Sequence, residues 1–164
     1  MERIDASQLE INPFTMIGKD CFLITAGNMS EWNTMTAAWG GLGYIWNKPV
    51  AYIFVRESRY TLEFIDKNDK FTLSFFPNEY KDALTLCGTK SGRDTDKSKE
   101  AGIQPCEVDG SVTFEEANLI FTCRKLSKTL IEKDHILDPS ALRHYPQGDW
   151  HYMFVGEIEG VYIN

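Results

Sequence analysis

The sequence predicts a mainly β fold: an antiparallel sheet closed into a barrel, with short helices inserted between strands. Three observations lead there. Strand-length apolar runs dominate the chain, and they lie too close together for regular βαβ crossovers. No Gly-x-Gly-x-x-Gly follows a strand, so a Rossmann dinucleotide site is not indicated. The 164 residues suit one domain with a sizeable core, and no linker, repeat or low-complexity stretch divides them.

Taken in order, Met1 to Phe14 reads as an irregular arm. Cys21 to Gly27 is an apolar run of strand length, and Asn28-Met29-Ser30-Glu31 is a turn. Thr34 to Trp39 is a second strand, which Gly40-Gly41 ends or bulges. Val50 to Arg56 is rich in β-branched and aromatic residues, with Pro49 at its start, where proline is tolerated. Ser58 is the expected N-cap of a helix running to about Lys67, with Leu62, Phe64 and Ile65 on its apolar side. Phe71 to Phe76 alternates large apolar with small polar residues, the pattern of a half-buried strand. Asn78 would cap a second helix through Leu86-Cys87, with Gly88 at C′. After the loop Thr89 to Asp94, a third short helix covers Lys97 to Ala101 and stops at Gly102. Strand signals return at Ala117 to Cys123 and at Lys128 to Ile131. Asp138-Pro139 opens a short helix through Tyr145, Pro146 to Asp149 is a turn, and Trp150 to Val161 is the closing strand. Along it Glu157 and Glu159 alternate with Ile158 and so share one face.

Composition narrows the function. The chain is 43% hydrophobic and 25% charged, as in ordinary folded proteins, and 13% aromatic, which suits a β-rich core or a ring-binding site. A net charge of −7 argues against non-specific nucleic-acid binding. No apolar run is long enough to span a membrane and the N-terminus has no signal-peptide pattern, so a cytoplasmic protein is expected. The four cysteines include no Cys-x-x-Cys pair, which gives zinc and a disulfide framework little support. Cys21 and Cys123 read as core residues.

The chemistry concentrates between Asn33 and Thr61. Asn33, Thr34, Met35, Thr36 and Trp39 offer an amide, hydroxyls and an aromatic ring on extended backbone. Arg56, Ser58, Arg59 and Thr61 gather where a helix should start, an end that binds anions and disfavours cations. A bound anion removes that conflict; pairing of the arginines with Glu57, Glu63 or Asp66 is the plainer alternative. Together the two segments suit a planar, phosphorylated ligand. The loop Cys87-Gly88-Thr89-Lys90-Ser91-Gly92-Arg93-Asp94 could cradle an anion on its N–H groups, or be a solvated surface loop. Cys87, at a helix C-terminus, is disfavoured as a thiolate and reads as a packing or ligand-lining residue. His151, heading the closing strand at a barrel rim, is either structural or a group that hydrogen-bonds a ligand or exchanges protons near neutral pH. Of Trp32, Trp39, Trp46 and Trp150, some would line a ring site or a subunit interface.

These segments resemble the flavin reductase-like family of FMN-binding split barrels. The matching stretches are Asn33-Thr34-Met35-Thr36 with Trp39-Gly40, Trp46-x-Lys48-Pro49, and Arg56-x-Ser58-Arg59-x-Thr61. They continue in Cys87-Gly88-x-x-Ser91-Gly92-Arg93-Asp94-x-Asp96-Lys97 and His151-x-x-Phe154-x-Gly156-Glu157. The resemblance implies a six-stranded antiparallel Greek-key split barrel working as a homodimer, with FMN near the dimer interface. It implies that Asn33 to Thr36 and Trp39 meet the isoalloxazine, and that Arg56, Ser58, Arg59 and Thr61 hold the phosphate. Cys87, Gly88, Lys90 and Ser91 would run beside the flavin, and His151 would approach it from the same or the other subunit. No residue need act as a nucleophile and no metal is called for. The expected function is an oxidoreductase passing electrons from NADH or NADPH through FMN to free flavin or a redox partner protein. The alternative is a flavoredoxin-like electron carrier, or a flavin-binding protein that does not oxidise a nicotinamide.

Overall fold

The computed structural model describes residues 1–164. The arm is more ordered than its composition suggests. Glu2–Ile4 (β1) pairs with the far end of the last strand, and a short helix, α1 (Pro13–Thr15), runs into a π-helical segment, Met16–Asp20. Cys21 closes that segment with φ 65° and is half-buried rather than in the core. Phe22–Asn28 (β2) and Glu31–Ala37 (β3) form a tight hairpin about Met29-Ser30, as the turn residues predict.

The next strand was not legible. Gly40-Gly41 does not end the sheet; it opens a separate strand, Gly40–Ile45 (β4), paired with Lys48–Arg56 (β5). The two-residue turn between them, Trp46-Asn47, has both φ angles positive at 53° and 57°, the conformation that matches strand twist in a hairpin. Helix α2 (Thr61–Lys67) leads to Lys70–Phe75 (β6). Ser58 does not cap α2: the cap position is Tyr60, with no side-chain hydrogen bond, because Ser58 is engaged by Asp149. Asn78 starts a single 3-10 turn, and α3 follows from Lys81 to Thr89. Gly88 therefore lies inside α3 and not at C′. Its reason is packing, since a Cβ there would sit 3.1 Å from the Thr36 Cβ. Lys97–Ala101 (α4) is capped by Asp96 and ends at Gly102 in the left-handed region.

A second hairpin, Pro105–Val108 (β7) and Ser111–Phe114 (β8), also escaped the sequence reading. Its signal was present in Asp109-Gly110, the dipeptide suited to two positive φ angles. The two strand signals after Ala117 belong to one strand, Leu119–Ile131 (β9), and the chain closes with His151–Ile163 (β10). The Asp138-Pro139 helix is a 3-10 stretch, Pro139–His144, capped by Asp138.

All sheet pairings are antiparallel, and the main sheet runs β3-β2-β6-β9-β10-β5-β4. Consecutive β5 and β6 are separated by β9 and β10, the non-sequential connection of a Greek key. The expected mainly β, antiparallel fold with short helices is what forms. Strands β2, β3, β5, β6, β9 and β10 supply six, and β1 and β4 bring the sheet to eight. The core lies between the sheet faces around Phe22, Phe71, Phe121 and Phe154, each almost wholly buried. A smaller cluster of Leu23, Leu84, Cys87 and Phe114 seats α3 and β8 on the barrel.

Outside the barrel, Glu157 and Glu159 do share a face, and they anchor a stripe of charge. Lys48 meets Glu157 at 2.5 Å, Arg124 reaches both glutamates, and Lys70 meets Glu159 at 2.9 Å. The stripe crosses β5, β10, β9 and β6 in turn.

Candidate functional site

The end of β3 and the segment after it form the floor of a pocket of about 200 Å³. Met35, Thr36, Ala37, Ala38, Trp39, Phe54, Arg56, Arg59 and His151 line it. Two larger cavities share part of its wall. One of about 470 Å³ shares Thr36, Ala37 and Ala38; the other, about 540 Å³ and mainly apolar, shares Ala38, Trp39 and Phe54. Trp39 is 43% exposed, a large apolar surface left in solvent at the junction. Trp46, at the β4–β5 tip, is exposed too; Trp32 packs edge-on against Phe114 and Trp150 lies on Tyr145.

Arg56 and Arg59 are the only charged residues in the pocket wall. Neither belongs to an ion pair, so the plainer reading of them as partners of surface acids does not hold. Arg56 donates to the carbonyls of Asp149 and His144, each at 2.9 Å, and Arg59 donates to the Gly88 carbonyl at 3.2 Å. Behind the wall lies a third cation. Lys97 is buried, and its Nζ donates to the carbonyls of Thr34 (2.7 Å) and Cys87 (2.8 Å). Burial holds its pKa below the usual lysine value, and Arg59 adds to the effect. Arg59 and Lys97 thus take the last carbonyls of α3, where the helix carries about half a negative charge. Two full cations exceed it.

The other members of the expected site have different settings. Asn33 is buried and donates to the Thr61 hydroxyl at 2.8 Å, tying β3 to α2. A Cβ on Gly92 would come within 2.0 Å of the Asn33 Oδ1, so only glycine lets the 89–96 loop lie this close. Thr34 points into the sheet, where its hydroxyl contacts that of Thr25 at 2.8 Å. Thr36 donates to the Leu84 carbonyl. Ser58 gives both its N–H (2.9 Å) and its hydroxyl (2.7 Å) to the Asp149 carboxylate. Lys90 is paired with Glu100 at 2.6 Å, and Arg93 with Glu63, so the loop's cations are neutralised locally. The Ser91 hydroxyl accepts from the Arg93 N–H at 3.2 Å. Cys87 is fully buried, and burial pushes its thiol up to about 11, which keeps it protonated.

His151 lines the pocket while 6% exposed. Its Nδ1 is 2.7 Å from the Tyr145 hydroxyl, and its ring lies 5.1 Å from that of Trp39. Burial, reinforced by Arg56 and Arg59 and opposed by Asp149, brings its pKa down to about 4. It is therefore neutral near pH 7, which leaves its ring to hydrogen-bond a ligand rather than to carry a charge there. Pocket and sequence thus bring together Met35, Thr36, Trp39, Arg56, Arg59 and His151. Lys97 was named only as the end of a matching stretch, with no role, and Tyr145 was not singled out. Lys97 carried the signal already noted for the arginines, a cation in the first position of a helix. Tyr145 carried none, because a hydrogen bond across a 3-10 loop has no sequence period.

The sequence matches the family model described as flavin reductase like domain over residues 17–164. Among solved structures, the chain resembles an FMN-binding domain of a flavin reductases-like enzyme from Shewanella baltica, at 16% identity and TM-score 0.71, covering 99% of this chain and 76% of that one. It also resembles the flavoredoxin of Methanosarcina acetivorans (24% identity, TM-score 0.69, covering 97% and 76%). A third is the flavoredoxin of Desulfovibrio vulgaris (21% identity, TM-score 0.69, covering 100% and 77%). At these identities the likeness speaks for the shared split-barrel fold. No curated protein matches the sequence.

Proposed function

The chain belongs to the flavin reductase-like family, and from that premise we propose that it binds FMN and works as an oxidoreductase. The observation that carries this is the pocket wall: two arginines with no carboxylate partner, beside an exposed tryptophan. A phosphate supplies the anion the arginines lack, and a planar ring covers the apolar floor. Arg56 and Arg59 hold the phosphate. Met35, Thr36 and Trp39 meet the ring, and His151 faces it. Asn33, Thr34, Thr61, Cys87, Gly88 and Ser91 shape the wall from behind, and Ser58 and Lys90 act through Asp149 and Glu100. FMN supplies the electron-transfer chemistry; the protein orients it and excludes water. Electrons come from NADH or NADPH and leave to free flavin or a redox partner protein. Stopped-flow absorbance of the FMN-loaded protein with each nicotinamide tests this. Bleaching of the flavin by one of them is the expected result; bleaching by neither removes the nicotinamide step.

That outcome would favour the second reading, a flavoredoxin-like electron carrier. One feature supports it: the apolar cavity beside the pocket has no charged residue in its wall, and so offers nothing to a dinucleotide's pyrophosphate.

We also propose a homodimer. Strand β4 ends the sheet, and Tyr44, Ile45 and Trp46 stand exposed along and beyond it. An apolar edge strand of this kind calls for a cover. Light scattering at micromolar concentration should give twice the 18.8 kDa chain mass; the single-chain mass would exclude the dimer. All four cysteines are free, which suits the reducing cytoplasm we propose as its location, and no helix is long and apolar enough to cross a membrane.

A further inference from the structure

Tyr145 and His151 stand in the walls of two neighbouring cavities, joined by one hydrogen bond. Tyr145 lines the apolar cavity of about 540 Å³, and His151 lines the cationic pocket. The bond between the Tyr145 hydroxyl and the His151 Nδ1 is 2.7 Å long. We propose that this pair is a proton relay, carrying a proton from water in the larger cavity to a ligand ring held in the cationic pocket. The inference rests on the flavin reading above for the identity of that ring.

The geometry sets the direction of transfer. Nδ1 is engaged by Tyr145, so Nε2 is the ring nitrogen left to meet a ligand. The charged and titratable groups facing His151 are Arg56 from β5, Arg59 from the turn after it, and Asp149 and Tyr145 from the preceding loop. Two of the cations oppose a positive imidazole, and burial opposes it further. A neutral imidazole can give up its Nε2 proton only if Nδ1 gains one in the same event, and Tyr145 is placed to supply it.

Were FMN held there, a nicotinamide or a reduced carrier protein would supply its electrons, and the added negative charge would draw a proton from the His151 Nε2. The Nε2–H bond breaks as an N–H or O–H bond forms on that ring. The Tyr145 O–H bond breaks as Nδ1–H forms, and the phenolate oxygen then takes a proton from water, whose hydroxide passes to bulk solvent. No electrons pass through either side chain. The transient phenolate forms beside a cation, because the Arg56 guanidinium sits 5.1 Å from the centre of the Tyr145 ring. Packing alone does not call for the hydroxyl, since the Tyr145 ring already lies against Trp150, tilted by 31° at 4.8 Å between centroids.

The test has two arms. In the first, the FMN-loaded protein is reduced by methyl viologen radical, a reductant that releases no proton when oxidised, in weakly buffered solution with a pH-indicator dye. Proton uptake should keep pace with flavin bleaching in the wild type and lag at least about tenfold behind it in Tyr145→Phe. FMN affinity should not change, and the melting temperature should fall by only a few degrees, as the His151 Nδ1 loses its partner. Uptake that keeps pace in the variant overturns the relay. The second arm needs no flavin: nitrogen-15 NMR of the unloaded wild type should find the His151 proton on Nε2. A proton on Nδ1 overturns the relay, because Nε2 would then have none to give. Failure of the wild type to bind FMN would instead sink the functional reading alone, and the NMR arm would still decide the relay.

Discussion

The Arg56→Ala, Arg59→Ala double variant should lose about 3–5 kcal/mol of FMN affinity, between about a hundredfold and a few thousandfold. Each arginine offers charge-assisted hydrogen bonds to a phosphate, worth about 1.5–3 kcal/mol apiece, with Arg56 half-buried and Arg59 exposed and so nearer the lower figure. The two face one ligand group, so their losses need not add. Arg56 also fastens the 144–149 loop through two backbone carbonyls, whereas Arg59 reaches only the Gly88 carbonyl. Arg59→Ala alone is therefore the cleaner probe, with an expected loss of about 1.5–3 kcal/mol. Calorimetric titration with riboflavin separates charge from shape. Riboflavin has the ring without the phosphate, so its affinity should be almost the same in wild type and variants. Equal affinities of the wild type for riboflavin and FMN would remove the arginines from phosphate binding.

Acid should destabilise the flavin-free protein, and His151 should account for much of the loss. The folded protein holds this histidine down to about 4 from an ordinary 6.5. Between those values the unfolded chain binds a proton that the folded chain rejects. Stability is therefore complete above about pH 6.5 and falls as the pH drops through 4, by roughly 2–3 kcal/mol in all. His151→Gln cannot titrate. Denaturant melts at pH 7.5 and pH 4.5 should show the variant losing less than the wild type. Parallel losses in the two proteins would mean that other groups carry the acid sensitivity.

Much of this was legible before any coordinates. Strands β2, β5 and β6 announced themselves through runs such as Val50 to Val55 and Phe71 to Phe75, because burying a pleated face requires that pattern. Strand β4 was hidden by Gly40, Gly41 and Gly43, which look like an interruption until β5 is known to pair with them. Strand β9 looked like two strands because its second half, after Arg124, is half-exposed and loses the apolar signal. At the site, the cationic cluster could be read because charge in the wrong place is a local feature. What Ser58 and Lys90 actually bind could not be read, since Asp149 lies 91 residues from Ser58 and both contacts are made only on folding.

The charge stripe over β5, β10, β9 and β6 bears on how the barrel is assembled. Strands β9 and β10 each run for thirteen residues, long enough to pair in several alignments. A slip of one residue turns every side chain to the opposite face. It would drive Glu157 and Glu159 toward the space beside Gly156 where Phe71 and Cys123 now lie, and leave Arg124, Lys48 and Lys70 clustered with no anion between them. The half-exposed pairs themselves add little to the native state. Their weight falls on the misaligned forms, where each becomes a buried or unpaired charge. The stripe therefore disfavours wrong registers of β9 against β10 more than it stabilises the right one.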